Sequence, residues 1–220
     1  MTLLRNRRII ANDRPWWLAG GIPANAATCV LQPIGANSLE ASLVNLVNSR
    51  IFLGTNVCTS WSVENGWYNN GTAGDFGNAD FALFAGLPNA QTSIIAKIKN
   101  PVIDGNTHDI LTSRYNTTYI NFRIQPTTGY ISLRNCNSFN STILATSGIY
   151  ACGGTTAYID ALPIGECPAG VYGIATNTDS INCGISGTNK FFGYLQAIAY
   201  YRIGLTQFQV AALTAAMNAL

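Results

Sequence analysis

Few residues in this sequence are placed to do chemistry. The segment Asp104-Gly105-Asn106-Thr107-His108-Asp109 gathers carboxylates, an amide and the chain's one histidine into six positions. Oxygen donors at that density could hold a hard cation such as calcium, with Asp104, Asn106 and Asp109 as ligands. The plainer reading is an Asx-rich turn whose side chains satisfy their own backbone. Asp75, Asn78 and Asp80 form a second such segment, open to the same two readings. Stacking is the other available chemistry. Trp61, Trp67 and Tyr68 could offer a ring face, with Trp67 assigned to the core, and Tyr115, Tyr119 and Tyr130 fall on or beside outward strand positions. Tyr115, Tyr119, Tyr130 and Trp61 are the expected contact surface, because a ring with a polar tip suits a half-wet site.

Six cysteines, at 29, 58, 136, 152, 167 and 183, form no C-x-x-C pair and only one histidine stands beside them, so a zinc site is not expected. The last four recur every 15 or 16 residues, which sets them at similar heights on successive antiparallel strands. Disulfides between neighbours and buried thiols are both open. No G-x-S-x-G, H-E-x-x-H or G-x-x-x-x-G-K-[ST] occurs, so the familiar serine-hydrolase, zinc-protease and P-loop arrangements are absent. No catalytic residue is expected.

The elements that must position these residues are strands. Of 220 residues, 48% are hydrophobic and only 10% charged, against roughly 25% charged in an average soluble domain. Asn, Thr, Ser and Gly fill the difference, which suits short strands and tight loops. Tyr119 to Gln125 alternates, with Ile120, Phe122 and Ile124 on one side. Shorter strand patterns run over 93–99, 130–134, 148–152, 157–162 and 171–175, separated by turn formers such as Gly153-Gly154 and Pro126 to Gly129. Phe191 to Tyr201 is apolar on both faces, as in a strand covered on both sides. Thr206 and Gln209 make a T-x-x-Q capping box for a C-terminal helix with Val210, Leu213, Met217 and Leu220 in one stripe. A short helix or turn is expected at 38–47, with Asn37 and Glu40 placed like a second capping box. The fold class is all-β: an antiparallel β-sandwich with a short C-terminal α-helix.

Residues 1–35 read differently. A basic start (Arg5, Arg7, Arg8) leads to Pro15, Trp16, Trp17, Gly20, Gly21 and Pro23. The tryptophan pair cannot stay in water; it packs onto the sandwich or docks into a neighbouring subunit. The organisation expected is an N-terminal arm over 1–35, used in assembly through those arginines and tryptophans, followed by one domain over 36–220. The net charge of +2 and the small basic cluster argue against nucleic acid as a partner. No run of 18 apolar residues provides a membrane span, and Ile9-Ile10-Ala11 is too short for a secretory signal.

Several motifs together resemble the concanavalin A-like lectin/glucanase superfamily, specifically the laminin-G-like jelly rolls found in bacteriophage structural proteins. Asn65-Gly66-Trp67-Tyr68-Asn69-Asn70-Gly71 is similar to the family's G-W-x-F-x-G strand, and Phe191 to Tyr201 to its closing F-x-G-x-I-x-x-I-x-I-Y strand. Leu205-Thr206 with Gln209-Val210 resembles the L-T-x-x-Q helix that ends many phage members, and Trp16 to Ile22 resembles a lead-in seen in some. Tyr158-Ile159-Asp160 sits where the family has a strand ending in D-G, with Ala161 in place of the glycine. The resemblance covers roughly residues 60–220. It implies a jelly roll whose enzymatic members carry E-x-D-x-x-E, two carboxylates on one strand about 5 Å apart for retaining hydrolysis. Glu40, Glu64 and Glu166 have no such company. The expectation is a non-enzymatic structural protein of a virion or extracellular surface, associating with copies of itself or other surface proteins and binding cell-surface glycans. Calcium is the one cofactor the resemblance suggests. A carbohydrate-binding module proper, or a glycan hydrolase, is the alternative. Sequons at Asn70, Asn116 and Asn140 would matter only in a glycosylating host.

Overall fold

The computed structural model describes residues 14–49, 58, 60–70, 87–115, 118–171, 180–182 and 192–220. In order the strands are β1 (Ala27–Leu31), β2 (Ser60–Ser62), β3 (Gly66–Asn70), β4 (Ser93–Lys99), β5 (His108–Tyr115), β6 (Thr118–Ile124), β7 (Tyr130–Leu144), β8 (Gly148–Gly153), β9 (Thr156–Ile159), β10 (Leu162–Glu166), β11 (Ser180–Asn182) and β12 (Phe192–Tyr201). One sheet runs β10-β9-β8-β4-β12-β3-β2, with β1 also on β12, and the other runs β11-β5-β6-β7. Every strand pairing among the described residues is antiparallel. The all-β sandwich with its C-terminal helix is therefore the observed fold. The second half of β7 folds back on the first: Ala145 N–H donates to Gly129 O at 3.0 Å and Ser141 Oγ to Ile131 O at 2.7 Å.

Two apolar layers sandwich the larger sheet. Trp67, Ile94, Ile98, Leu195, Ile198 and Tyr200 point inward to meet Phe122, Ile124, Ile131 and Leu133 of the smaller sheet. Ile95, Ile149, Ala151, Ala199 and Tyr201 point the other way, to Trp16, Trp17, Val210, Leu213 and Met217. The second layer exists because β12 is apolar at successive positions and α2 (Gln207–Asn218) lays its apolar stripe across it. The helix starts at the expected capping box: Thr206 Oγ1 accepts from Gln209 N–H, and Gln209 Oε1 accepts from Thr206 N–H. The earlier helix is shorter than expected. It is the single turn α1 (Leu39–Ser42), and its N-cap is Ser38 in place of Asn37, with Ser38 Oγ accepting from Ala41 N–H.

The boundary expected at residue 35 is corrected. Ala27–Leu31 is a strand in register with Tyr201–Ile198, and Trp16 and Trp17 are 1% and 6% exposed within this same chain. Trp16 to Gly21 forms a 3-10 turn packed on α2, and Tyr201 donates its hydroxyl to Trp17 O at 2.9 Å. Trp16 and Trp17 are thus core residues and not an assembly arm: their own sheet and helix supply the apolar partner they needed. Arg5, Arg7 and Arg8 lie outside the described residues.

Polar side chains tie the sheets together. Asn135 Nδ2 donates to Gly154 O at 2.7 Å and its Oδ1 accepts from Thr92 Oγ1 at 3.2 Å, while Asn89 Nδ2 donates to Asn135 O and Pro168 O at 3.0 Å each. Both asparagines are fully buried, and buried amides hold their place only when satisfied in this way.

The expected strand over 157–162 is two strands, β9 and β10, joined by a two-residue turn in which Asp160 and Ala161 have φ of 47° and 68°. Two positive φ angles in a two-residue hairpin favour Asp-Gly, whose glycine carries no Cβ penalty. Asp160 is further held by Ile149, whose N–H donates to Oδ1 and whose O accepts from Asp160 N–H, each at 2.8 Å. Ala161→Gly is expected to stabilise the domain by about 1 kcal/mol, seen as a higher thermal midpoint. A fall on this substitution would mean that the turn is not strained.

Candidate functional site

Among the described residues, the helix α2 covers only part of the larger sheet. Leu205, just before the helix N-cap, donates its N–H to Ser93 Oγ at 2.9 Å, and the last turn of the helix sits over Lys97, whose Nζ donates to Met217 O at 2.8 Å. The helix therefore follows β4 for about 13 Å. Burial, reinforced by Lys99, lowers the Lys97 ammonium pKa below the usual lysine value. The sheet continues past that point. Tyr194 on β12 is flanked in register by Lys99 on β4 and Tyr68 on β3, and Ser60 on β2 extends the row. Strand alternation sets the direction: Trp67 and Leu195 are buried between the sheets, so their neighbours Tyr68 and Tyr194 face the other side.

Tyr68 and Tyr194 are half-buried, with ring centroids 4.9 Å apart and planes tilted by 44°. Lys99 donates from Nζ to Asn65 Oδ1 at 2.8 Å. The row thus joins two ring faces to phenol hydroxyls, an ammonium and an amide. Ring faces cover apolar surface while the polar tips exchange hydrogen bonds. That combination suits a ligand with an apolar C–H face and a rim of hydroxyls. Sequence reasoning named Tyr68 as a stacking candidate but missed Tyr194, Lys99 and Asn65. The usable signal was alternation from a core Trp67, which sends Tyr68 outward.

Of the four residues expected to form a contact surface, the structure describes the side chains of Trp61 and Tyr130, which lie on different sheets. Trp61 packs against the layer between the sheets and donates from Nε1 to Pro33 O at 2.9 Å. Tyr130 is half-buried on the smaller sheet, on the side away from Ile131 and Leu133. Tyr115 and Tyr119 lie at the register positions Tyr115↔Thr118 and Tyr119↔Arg114, and their side chains are outside the described part.

The expected calcium ligands are engaged elsewhere. Asp104 Oδ1 accepts from Asn106 N–H at 2.9 Å and lies 2.6 Å from His108 Nε2. The Asn106 N–H, with lesser help from its side chain and His108, holds the Asp104 carboxyl down at about 2. Asp109 is 1% exposed and takes Arg123 on both oxygens, at 2.5 and 3.3 Å. His108 and Asp109 are successive strand residues, so the two acid groups diverge. Asp104, Asn106 and Asp109 therefore do not fit calcium as one ligand set, and among the described residues no three His, Cys, Asp or Glu side chains cluster to hold a metal. Asp75, Asn78, Asp80 and Asn116 lie outside the described residues. Asn140 accepts from Ser132 Oγ at 2.8 Å.

No family model and no curated protein matches the chain. Solved structures do. Domain 4 of an extracellular GH43 arabinanase from Geobacillus stearothermophilus, in complex with arabinotriose, aligns over 86% of this chain and 98% of its own, with 15% identity and a TM-score of 0.54. A Trypanosoma rangeli sialidase aligns over 89% of this chain and 33% of its own, with 12% identity and a TM-score of 0.58. The same enzyme with a bound 2,3-difluoro-KDN gives 11% identity and 0.59. This chain spans about a third of the sialidase chains it matches. At these identities the likeness is one of fold: this chain is built as the same kind of β-sandwich.

Proposed function

We propose that this chain is a non-catalytic carbohydrate-binding module of the concanavalin A-like kind, working on an extracellular or particle surface. Its ligand is an oligosaccharide laid along the row Lys99, Tyr194, Tyr68 and Ser60. The observation that carries this reading is the half-buried Tyr68–Tyr194 pair on the stretch of sheet that α2 does not reach. The fold likeness to an arabinanase domain whose structure holds arabinotriose adds support. The non-catalytic part of the proposal draws on the acids: Asp109 is neutralised by Arg123, and Asp160 is spent on Ile149 N–H. A paired acid and nucleophile for glycoside hydrolysis would need free carboxyls facing one substrate. The sparse charge and the abundance of Asn, Thr and Ser fit an extracellular or virion setting. Self-assembly through residues 1–35 has lost its physical argument for the tryptophans, which are covered by their own domain.

A glycan array carrying arabino-oligosaccharides and sialylated glycans, read with and without a calcium chelator, tests the proposal. Binding is expected and is expected to survive the chelator, with no reducing sugar released. Absence of binding under both conditions would sink the module reading. Sugar release lost on replacing a carboxylate would make the protein a hydrolase.

A further inference from the structure

Cys152 on β8 and Cys167, just past the end of β10, are 0% and 1% exposed in the layer between the sheets. β9 separates β8 from β10, and residues on strands two apart stand roughly 10 Å from one another. Cys167 escapes that spacing because the chain leaves the sheet after Glu166. Its N–H donates to Thr155 O at 2.7 Å, at the turn between β8 and β9, so the residue curls in beneath that turn. Its Sγ then lies 3.9 Å from Cys152 Sγ. The Cys167 S–H donates to Leu133 O on the facing sheet at 3.6 Å, which leaves Cys152 as the donor between the two sulfurs.

We infer that Cys152 and Cys167 are a disulfide-forming pair, closed by a low-molecular-weight disulfide such as oxidised glutathione, which staples β8 to the segment after β10. The sulfurs must approach by about 2 Å to reach bonding distance. The two thiols are unequal. The hydrogen bond from Cys152, opposed by burial and helped by the backbone at Asn135 and Phe139, lowers the Cys167 pKa, whereas that same bond and burial push Cys152 up. Cys167 lies between the exposed residues Glu166 and Pro168, so it is the thiol that a disulfide arriving from solvent meets first, and its thiolate makes the attack. It displaces one glutathione thiolate and forms a mixed disulfide while the exposed flank at Glu166 and Pro168 is open. Cys152 gives its proton to solvent, attacks the Cys167 sulfur and expels the second glutathione thiolate. Two protein thiols are oxidised and one glutathione disulfide is reduced to two thiols. The sequence spacing left pairing and free thiols equally open; among the described cysteines this geometry brings one pair together.

The test uses the full chain, purified reduced and then equilibrated with oxidised and reduced glutathione. Intact mass is expected to fall by about 2 Da, and unreduced digestion should join the peptides of Cys152 and Cys167. The thermal midpoint should rise by roughly 6–12 °C, as expected for closing a 15-residue loop in a chain of this size. Dithiothreitol should reverse the rise. Cys29→Ser should keep the link and the shift, and Cys152→Ala should lose both. A different pairing, a persistent glutathione adduct, or a linked protein with an unchanged or lower midpoint would overturn the inference. The wild-type digest alone decides if Cys152→Ala fails to fold.

Discussion

Trp16→Ala is expected to cost about 3–5 kcal/mol of folding stability, the range for truncating a fully buried tryptophan, and to lower the thermal midpoint by roughly 6–20 °C. Trp16 is 1% exposed and meets Trp17 edge-on with centroids 5.9 Å apart. Its Nε1 donates to Gln32 Oε1 at 2.9 Å. Alanine there empties the seam between the 3-10 turn and α2 and leaves the Gln32 acceptor without its donor. The same logic extends to the whole segment. A chain starting at residue 36 lacks β1, so the Ile198–Tyr201 edge of β12 loses its neighbour, and the apolar face of α2 loses the two tryptophans. Thermal melts followed by tryptophan fluorescence and circular dichroism check both. A 36–220 chain that folds with an unchanged midpoint would contradict the single-domain account and restore the separate arm.

That prediction marks where the sequence stopped being legible. The C-terminal helix and its capping box could be read because both depend on residues three and four apart. The alternation of Phe122 and Ile124 on β6, and the two-sided apolar run of β12, could be read for the same local reason. Trp16 and Trp17 lie in a stretch rich in Gly and Pro with no periodicity, and their partner α2 begins 190 residues later. Only the tertiary contact decides whether such a pair turns inward or toward a neighbour. The site was half legible. Tyr68 follows from alternation beside a core tryptophan. Tyr194 sits in a run that reads as buried on both faces, and it is only half-buried, on the stretch of β12 beyond the point where α2 ends over Lys97. The Asp104–Asp109 segment had the right composition for a cation and the wrong directions, since a strand begins at His108 and sends neighbours to opposite sides.

The second large effect concerns binding. Each of Tyr68→Ala and Tyr194→Ala should weaken glycan binding roughly tenfold, about 1.4 kcal/mol per ring, and the double variant should weaken it roughly a hundredfold. Both rings are only half-buried and lie outside the two apolar layers, so circular dichroism and the thermal midpoint should change little. Lys99→Met removes the ammonium that holds Asn65 and should give a smaller loss. Tyr130→Ala, on the other sheet, should bind as the unaltered protein does. The direct measurement is isothermal titration of the unaltered chain, the Tyr68→Ala/Tyr194→Ala variant and Tyr130→Ala with arabinotriose and with the strongest glycan from the array. The account predicts saturable heat for the unaltered chain and Tyr130→Ala, and a loss of roughly a hundredfold for the double variant. Undiminished binding by a folded double variant, or its loss in Tyr130→Ala instead, would contradict it.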